Sequence, residues 1–187
     1  MVAEDAELVI RGLAAGVDGF NRWSFVNRGD LDGQWQLIDT WDVQAGKLLK
    51  SFTPHPNGYF VFGLLSRLTA KHSEVLSCKV EAGGSPPHLY AAALRSPKGN
   101  LTVAVVNDGS AEAEGTLAIV GLKYRLALYK YQVTSAQRDL AALKINPGKK
   151  RLLLPNSLGF RDRFPRTSLT IYSSYHLAHS DSGIIAD

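Results

Sequence analysis

Residues 17–42 read VDGFNRWSFVNRGDLDGQWQLIDTWD, and they hold all three tryptophans of the chain, Trp23, Trp35 and Trp41. Asp18, Asp30, Asp32, Asp39 and Asp42 fall in the same window, which mixes flat aromatic surface and carboxylates more densely than any other part of the chain. The run Gly19–Phe25 reads as a buried strand that opens into a long polar loop carrying Asn27, Arg28, Asp30 and Asp32. Strand end, aromatic floor and polar rim together suit a neutral ligand with many hydroxyls, that is, a sugar. The alternative is a core tryptophan followed by an irregular connection.

Upstream of this stretch, Ala3, Ala6, Val9, Ile10 and Leu13 recur at helical spacing, and Gly16 is placed to end the helix. A helix followed at once by a buried strand is the step of a parallel α/β sheet or barrel. Downstream, residues 26–56 show no clear period, apart from a short extended piece at Gln34–Trp41. Loops of that length inside compact domains tend to be functional. A second helix is predicted over Tyr59–Ala70, where Val61, Leu64, Leu65 and Leu68 form one apolar stripe and Gly63 suggests close packing against a neighbour.

After Ser73 the period changes to two. Strands are predicted at Glu74–Val80, Leu89–Leu94, Leu101–Asn107, Gly115–Val120, Arg125–Tyr131, Lys150–Leu154 and Ser168–Tyr175. Turns rich in glycine, proline and asparagine separate them, and Ser135–Leu143 has some helical character. Short strands at this spacing make an antiparallel β-sandwich. The fold class expected is therefore mainly β: an antiparallel β-sandwich (73–187) preceded by a short α/β segment (1–72).

Composition narrows the function. The 187 residues are 45% hydrophobic and 20% charged, the balance of a globular protein. A net charge of +4 is too mild to indicate nucleic acid by itself. The basic run Gly148–Arg151 reads as a solvated hairpin end, and Arg161, Arg163 and Arg166 lack an interleaved aromatic platform. Cys78, the one cysteine, rules out an internal disulfide, and its alternation with Leu76 and Val80 suggests a small buried hydrophobe. His55, His72, His88, His176 and His179 show no metal-binding helix spacing, so neither metal nor cofactor is expected. No stretch is long and apolar enough to span a membrane, and the start, MVAEDAELV, has no leader pattern, so no membrane partner is expected and the compartment is left open. Gly-x-Ser-x-Gly and the two phosphate-binding glycine signatures are absent as well.

The order helix, tryptophan-bearing strand, aspartate-bearing loop, helix, sandwich resembles the C-terminal end of a clan-A glycoside hydrolase, whose (β/α)8 barrel is followed by a β-sandwich. On that resemblance Gly19–Phe25 matches the eighth barrel strand and Trp23 the floor of the substrate cleft. The second helix is similar to the last barrel helix, and LTVAVVNDG (Leu101–Gly109) and SLTIYSSY (Ser168–Tyr175) are similar to strands of the sandwich. The resemblance implies a β-linked polysaccharide, glucan or xylan, as substrate, bound by Trp23, Asn27, Arg28, Trp35 and Trp41.

It also implies a deficit. Retaining hydrolysis needs two carboxyls about 5–5.5 Å apart, and the strands that carry them in the family would lie upstream of Met1. If the chain hydrolyses sugars unaided, Asp30 and Asp32 are the catalytic candidates, one raised by the other's charge to serve as acid. The competing reading is that these aspartates cap turns, and that the chain is a non-catalytic carbohydrate-binding or structural piece. A lone barrel strand lacks hydrogen-bonded neighbours, so Gly19–Phe25 is expected to need a missing upstream barrel, the sandwich, or the same strand of a second copy in a homo-oligomer.

Overall fold

A computed structural model describes residues 2–20, 26, 36–81, 88–134 and 150–177. The chain is mostly β. Its elements run α1 (Val2–Ala14), β1 (Ile38–Asp42), β2 (Lys47–Pro54), α2 (Pro56–Leu68), β3 (Glu74–Leu76), β4 (Leu89–Arg95), β5 (Leu101–Asn107), β6 (Ala113–Leu117), β7 (Leu126–Thr134), β8 (Lys150–Leu153), β9 (Phe160–Phe164) and β10 (Ser168–Ser173).

The main sheet is antiparallel and six-stranded, in the order β3-β4-β5-β10-β7-β8. Its two central strands, β5 and β10, are buried at every position, which is why their sequences are near-continuous apolar and β-branched runs. Alternation sorts their side chains to two faces. Ala104 and Val106 of β5, Leu169 and Ile171 of β10, and Tyr131 and Val133 of β7 face one core, which Ala3, Ala6, Val9 and Ile10 of α1 and Val61, Leu64 and Leu68 of α2 complete. Leu101, Val103, Val105, Leu128 and Tyr172 face the other, which is closed by Phe164, Leu117 and Phe160 from a separate two-stranded sheet, β6-β9. One sheet thus lies between two helices and a two-stranded layer.

The apolar stripes predicted for both helices are the ones buried. Gly16, at φ +85°, ends α1 as expected. At the end of α2 the Thr69 amide and hydroxyl both donate to the Leu65 carbonyl, at 3.0 and 2.7 Å. Thr102 of β5 then donates to the freed Leu68 carbonyl at 2.6 Å, tying the helix end to the sheet. The Asn107–Ser110 turn is held by its first side chain. Asn107 accepts from the Gly109 amide at 2.9 Å and donates to the carbonyls of Ala111 and Phe164, each at 2.9 Å.

Several expectations change. The long loop contains a hairpin, β1-β2, joined through a turn in which the Ala45 amide donates to Asp42 and Gly46 stands at φ +62°. β9 has no counterpart in the strand prediction, because FRDRF carries three consecutive charges that interrupt the apolar alternation. The first strand after α2 stops at Leu76, leaving Cys78 and Val80 exposed: its pairing with β4 ends at Leu76, so the sheet does not bury the chain beyond. Val17–Phe20 are neither strand nor buried; the Phe20 ring lies against Gly12 of α1. The rest of the run Gly19–Phe25, and the helical reading of Ser135–Leu143, lie outside the described residues.

Gly63 also departs from expectation. A Cβ there would meet nothing within 4 Å, so the position has space and ordinary helical geometry. Gly63→Ala is expected to stabilise the chain by about 0.5–1 kcal/mol, as a higher denaturant midpoint at unchanged slope, because alanine loses less backbone entropy on folding. A lower midpoint would show that the helix needs glycine for contact after all.

Candidate functional site

The β1-β2 hairpin and the N-terminal ends of both helices meet at one end of the molecule. His55, the residue preceding α2, donates its amide to the Leu37 carbonyl at 2.7 Å. A Cβ on Gly58, in the first turn of α2, would stand 3.0 Å from the Leu37 side chain and 3.5 Å from the Asp5 carboxylate. Val26 forms a parallel bridge with Ile38 at the start of β1. Val26 and Gln36, the described residues that flank positions 27–35, thereby stand beside the hairpin and the helix N-termini. A helix N-terminus presents free amides and positive potential, which suits the hydroxyls and carboxylates of a sugar site.

Of the predicted site residues, Trp41 lies in the described structure. It sits on β1, half-buried, opposite Leu48 of β2. Asp39, on the same strand, accepts from the Gln36 amide, and Gln36 is itself 4% exposed. Asp42 accepts from Ala45 and so caps the hairpin turn. Trp23, Asn27, Arg28, Asp30, Asp32 and Trp35 lie outside the described residues.

A second concavity, of about 860 Å³, opens at the opposite end, between the C-terminal ends of α1 and α2. Leu13, Phe20, Phe62, Leu65 and Val75 line it with His72 at its rim. Its wall is chiefly apolar, so it lacks the converging polar groups that orient a sugar.

One constellation was not anticipated. Asp162 of β9 points into the second core, where its carboxylate accepts from Lys130 Nζ at 3.0 Å, Arg151 Nη2 at 3.1 Å, Tyr172 Oη at 2.9 Å and the Arg163 amide at 2.8 Å. Burial alone would raise its pKa, but the Arg163 amide, Lys130 and the Tyr172 hydroxyl outweigh burial and hold it at about 2. Burial first, and donation to this ionised carboxylate second, push the Tyr172 phenol up. A carboxyl held so low stays ionised and cannot act as a general acid near neutrality. The cluster ties the two-stranded layer to the main sheet across strands β7, β8, β9 and β10. Its only trace in sequence is the alternation Phe160-Arg161-Asp162-Arg163-Phe164, in which the middle acid shares the inward parity of both phenylalanines.

The remaining acids of the sheets are likewise matched. Arg161 and Arg163, which could have suggested phosphate binding, pair with Glu114 of β6 at 2.6 and 3.0 Å, and Glu74 pairs with Arg95 at 2.6 Å. No group of three metal-ligating side chains occurs among the described residues.

No protein-family model and no curated protein matches the chain by sequence. Solved structures do match in fold. A family 30 glycoside hydrolase endoxylanase from Clostridium papyrosolvens C71 aligns with 92% of this chain and 37% of its own at a TM-score of 0.56 and 10% identity. A family 30, subfamily 8 xylanase from Clostridium acetobutylicum aligns with 92% of this chain and 38% of its own, at a TM-score of 0.60 and 10% identity. An arabinose-bound family 51 α-L-arabinofuranosidase aligns with 92% and 27%, at 0.62 and 14%. The chain thus has a glycoside hydrolase-like fold and spans less than two-fifths of the length of these structures.

Proposed function

We propose that this chain forms the C-terminal part of a clan-A-type glycoside hydrolase acting on a β-linked polysaccharide, xylan or glucan. In this reading residues 1–72 are the end of a (β/α)8 barrel, with the stretch leading into Val26 in the place of its last strand, and residues 73–187 are the β-sandwich that supports it. The observation that carries the reading is the alignment of 92% of the chain, helices and sheets in one arrangement, with xylan-acting enzymes. The geometry is consistent with it. Val26, the hairpin and both helix N-termini converge at one end, where a barrel places its ligand-binding loops. Trp23 would then form the floor of the sugar cleft, and Trp41 with the loop residues Asn27, Arg28 and Trp35 one wall.

A xylo-oligosaccharide titrated into the chain should bind, and Trp41→Ala should weaken that binding roughly tenfold, the worth of one aromatic face against a sugar ring. Calorimetry on both proteins reads this directly. Full affinity in the variant would remove Trp41 from the cleft, and no binding of xylo- or cello-oligosaccharides by either protein would sink the substrate assignment.

A further inference from the structure

The register of the strands brings two loops together at one edge of the second core. β6 and β9 end with Leu117 opposite Phe160, and β7 and β8 with Leu126 opposite Leu153. The connections 118–125 and 154–159 therefore leave the fold side by side. They touch through backbone: a Cβ on Gly159, at φ +91°, would stand 2.2 Å from the Leu117 carbonyl oxygen. Ile119 and Leu122 turn inward and pack on the second core, which anchors the longer loop. Their neighbours turn outward. Val120 is 98% exposed, Leu158 93% and Tyr124 80%, with Leu154 at the margin.

Lys123 and Arg125, both exposed, stand among these apolar tips, and neither is ion-paired among the described residues. The segments Gly115–Thr134 and Lys150–Phe160 contain no aspartate or glutamate. From this combination we infer that the 118–125 and 154–159 loops dock the protein onto an anionic lipid surface. Valine and leucine tips enter the acyl boundary, the tyrosine sits at headgroup level, and the lysine and arginine meet the phosphates.

Other occupants fit less well. A second copy would set Lys123 and Arg125 against their own like charges. A sugar chain gains little from aliphatic tips that offer it no hydrogen bond. The surface also lies on the face of the main sheet away from α1 and α2, so anything that packs on the helices leaves it free. No helix among the described residues is long and apolar enough to cross a membrane. The sequence-based expectation of no membrane partner rests on that lack and does not bear on peripheral attachment.

Co-sedimentation of the full chain with vesicles tests the inference, using phosphatidylcholine alone and phosphatidylcholine mixed with phosphatidylserine. The chain should bind the mixed vesicles, and less so as salt rises. The pair Val120→Asp, Leu158→Asp should reduce binding roughly tenfold or more, and Lys123→Glu, Arg125→Glu should erase the preference for the anionic vesicles. All four side chains are exposed, so circular dichroism should show each variant folded. Leu8→Asp, an exposed apolar position on α1, should bind as the parent does. No binding by the parent, undiminished binding by the tip variants, or loss of sugar binding or self-association instead of vesicle binding would each overturn it.

Discussion

Replacing Asp162 with alanine is expected to destabilise the fold by about 3 kcal/mol, the cost of breaking a largely buried charge cluster by removing one member. The carboxylate is 9% exposed and serves two cations, Lys130 at 16% and Arg151 at 30%. Without it both charges stay half-desolvated beside the Tyr172 hydroxyl, which loses its acceptor too. Arg151 has little to fall back on, because its buried Nε has no hydrogen-bond partner among the described residues and its guanidinium otherwise rests on the Phe160 ring. Tyr172→Phe should cost only about 1 kcal/mol, since it deletes one hydrogen bond and no charge. Equilibrium urea unfolding of the two variants separates these values. A loss below about 1 kcal/mol for Asp162→Ala would mean that both cations reach water.

The same cluster predicts acid sensitivity. Asp162 titrates at about 2 in the fold against an ordinary value of 3.8. The unfolded chain therefore binds this proton first. The carboxylate's contribution is complete above about pH 4 and is lost as pH falls through the folded value toward 2, about 2 kcal/mol in all. Asp162→Asn should flatten that part of the stability profile.

Turnover of xylan or β-glucan, where the chain or its complex with the rest of a barrel supports it, gives the second large expected effect. If Asp30 and Asp32 supply acid and base, the double variant Asp30→Ala, Asp32→Ala should lower kcat by roughly 10²- to 10⁴-fold. Oligosaccharide affinity should change far less, because the proposed function assigns binding to the tryptophans rather than to these carboxylates. If the carboxyl pair instead comes from an upstream barrel, the double variant leaves kcat nearly intact and the isolated chain turns over nothing. The two arrangements give opposite results on one substrate.

The elements most legible in the sequence are those whose periodicity is enforced by one dominant contact. The α1 stripe, the α2 stripe and the bounds of β5 follow directly from residues such as Ile10, Leu64 and Val105, because burial on the sheet selects them. β4, β7 and β10 shift by one to three residues at their ends. The extended piece expected at Gln34–Trp41 overlaps β1, but β2 escaped that reading because Lys47–Pro54 is mostly solvent-facing and so carries no apolar alternation. β9 escaped it because its outward positions are arginines paired across to Glu114.

The sequence alone therefore determined the two amphipathic helices and the antiparallel run of strands. Those depend on local spacing and turn chemistry, which neighbouring residues suffice to encode. Only the tertiary structure decided which face of the six-stranded sheet each helix covers and that β6 pairs with β9. It alone turned Asp162 into a buried tie among four strands, and brought Val120, Tyr124 and Leu158 to one edge. These are contacts between residues tens of positions apart, and their physical cause is burial against partners that no local pattern names.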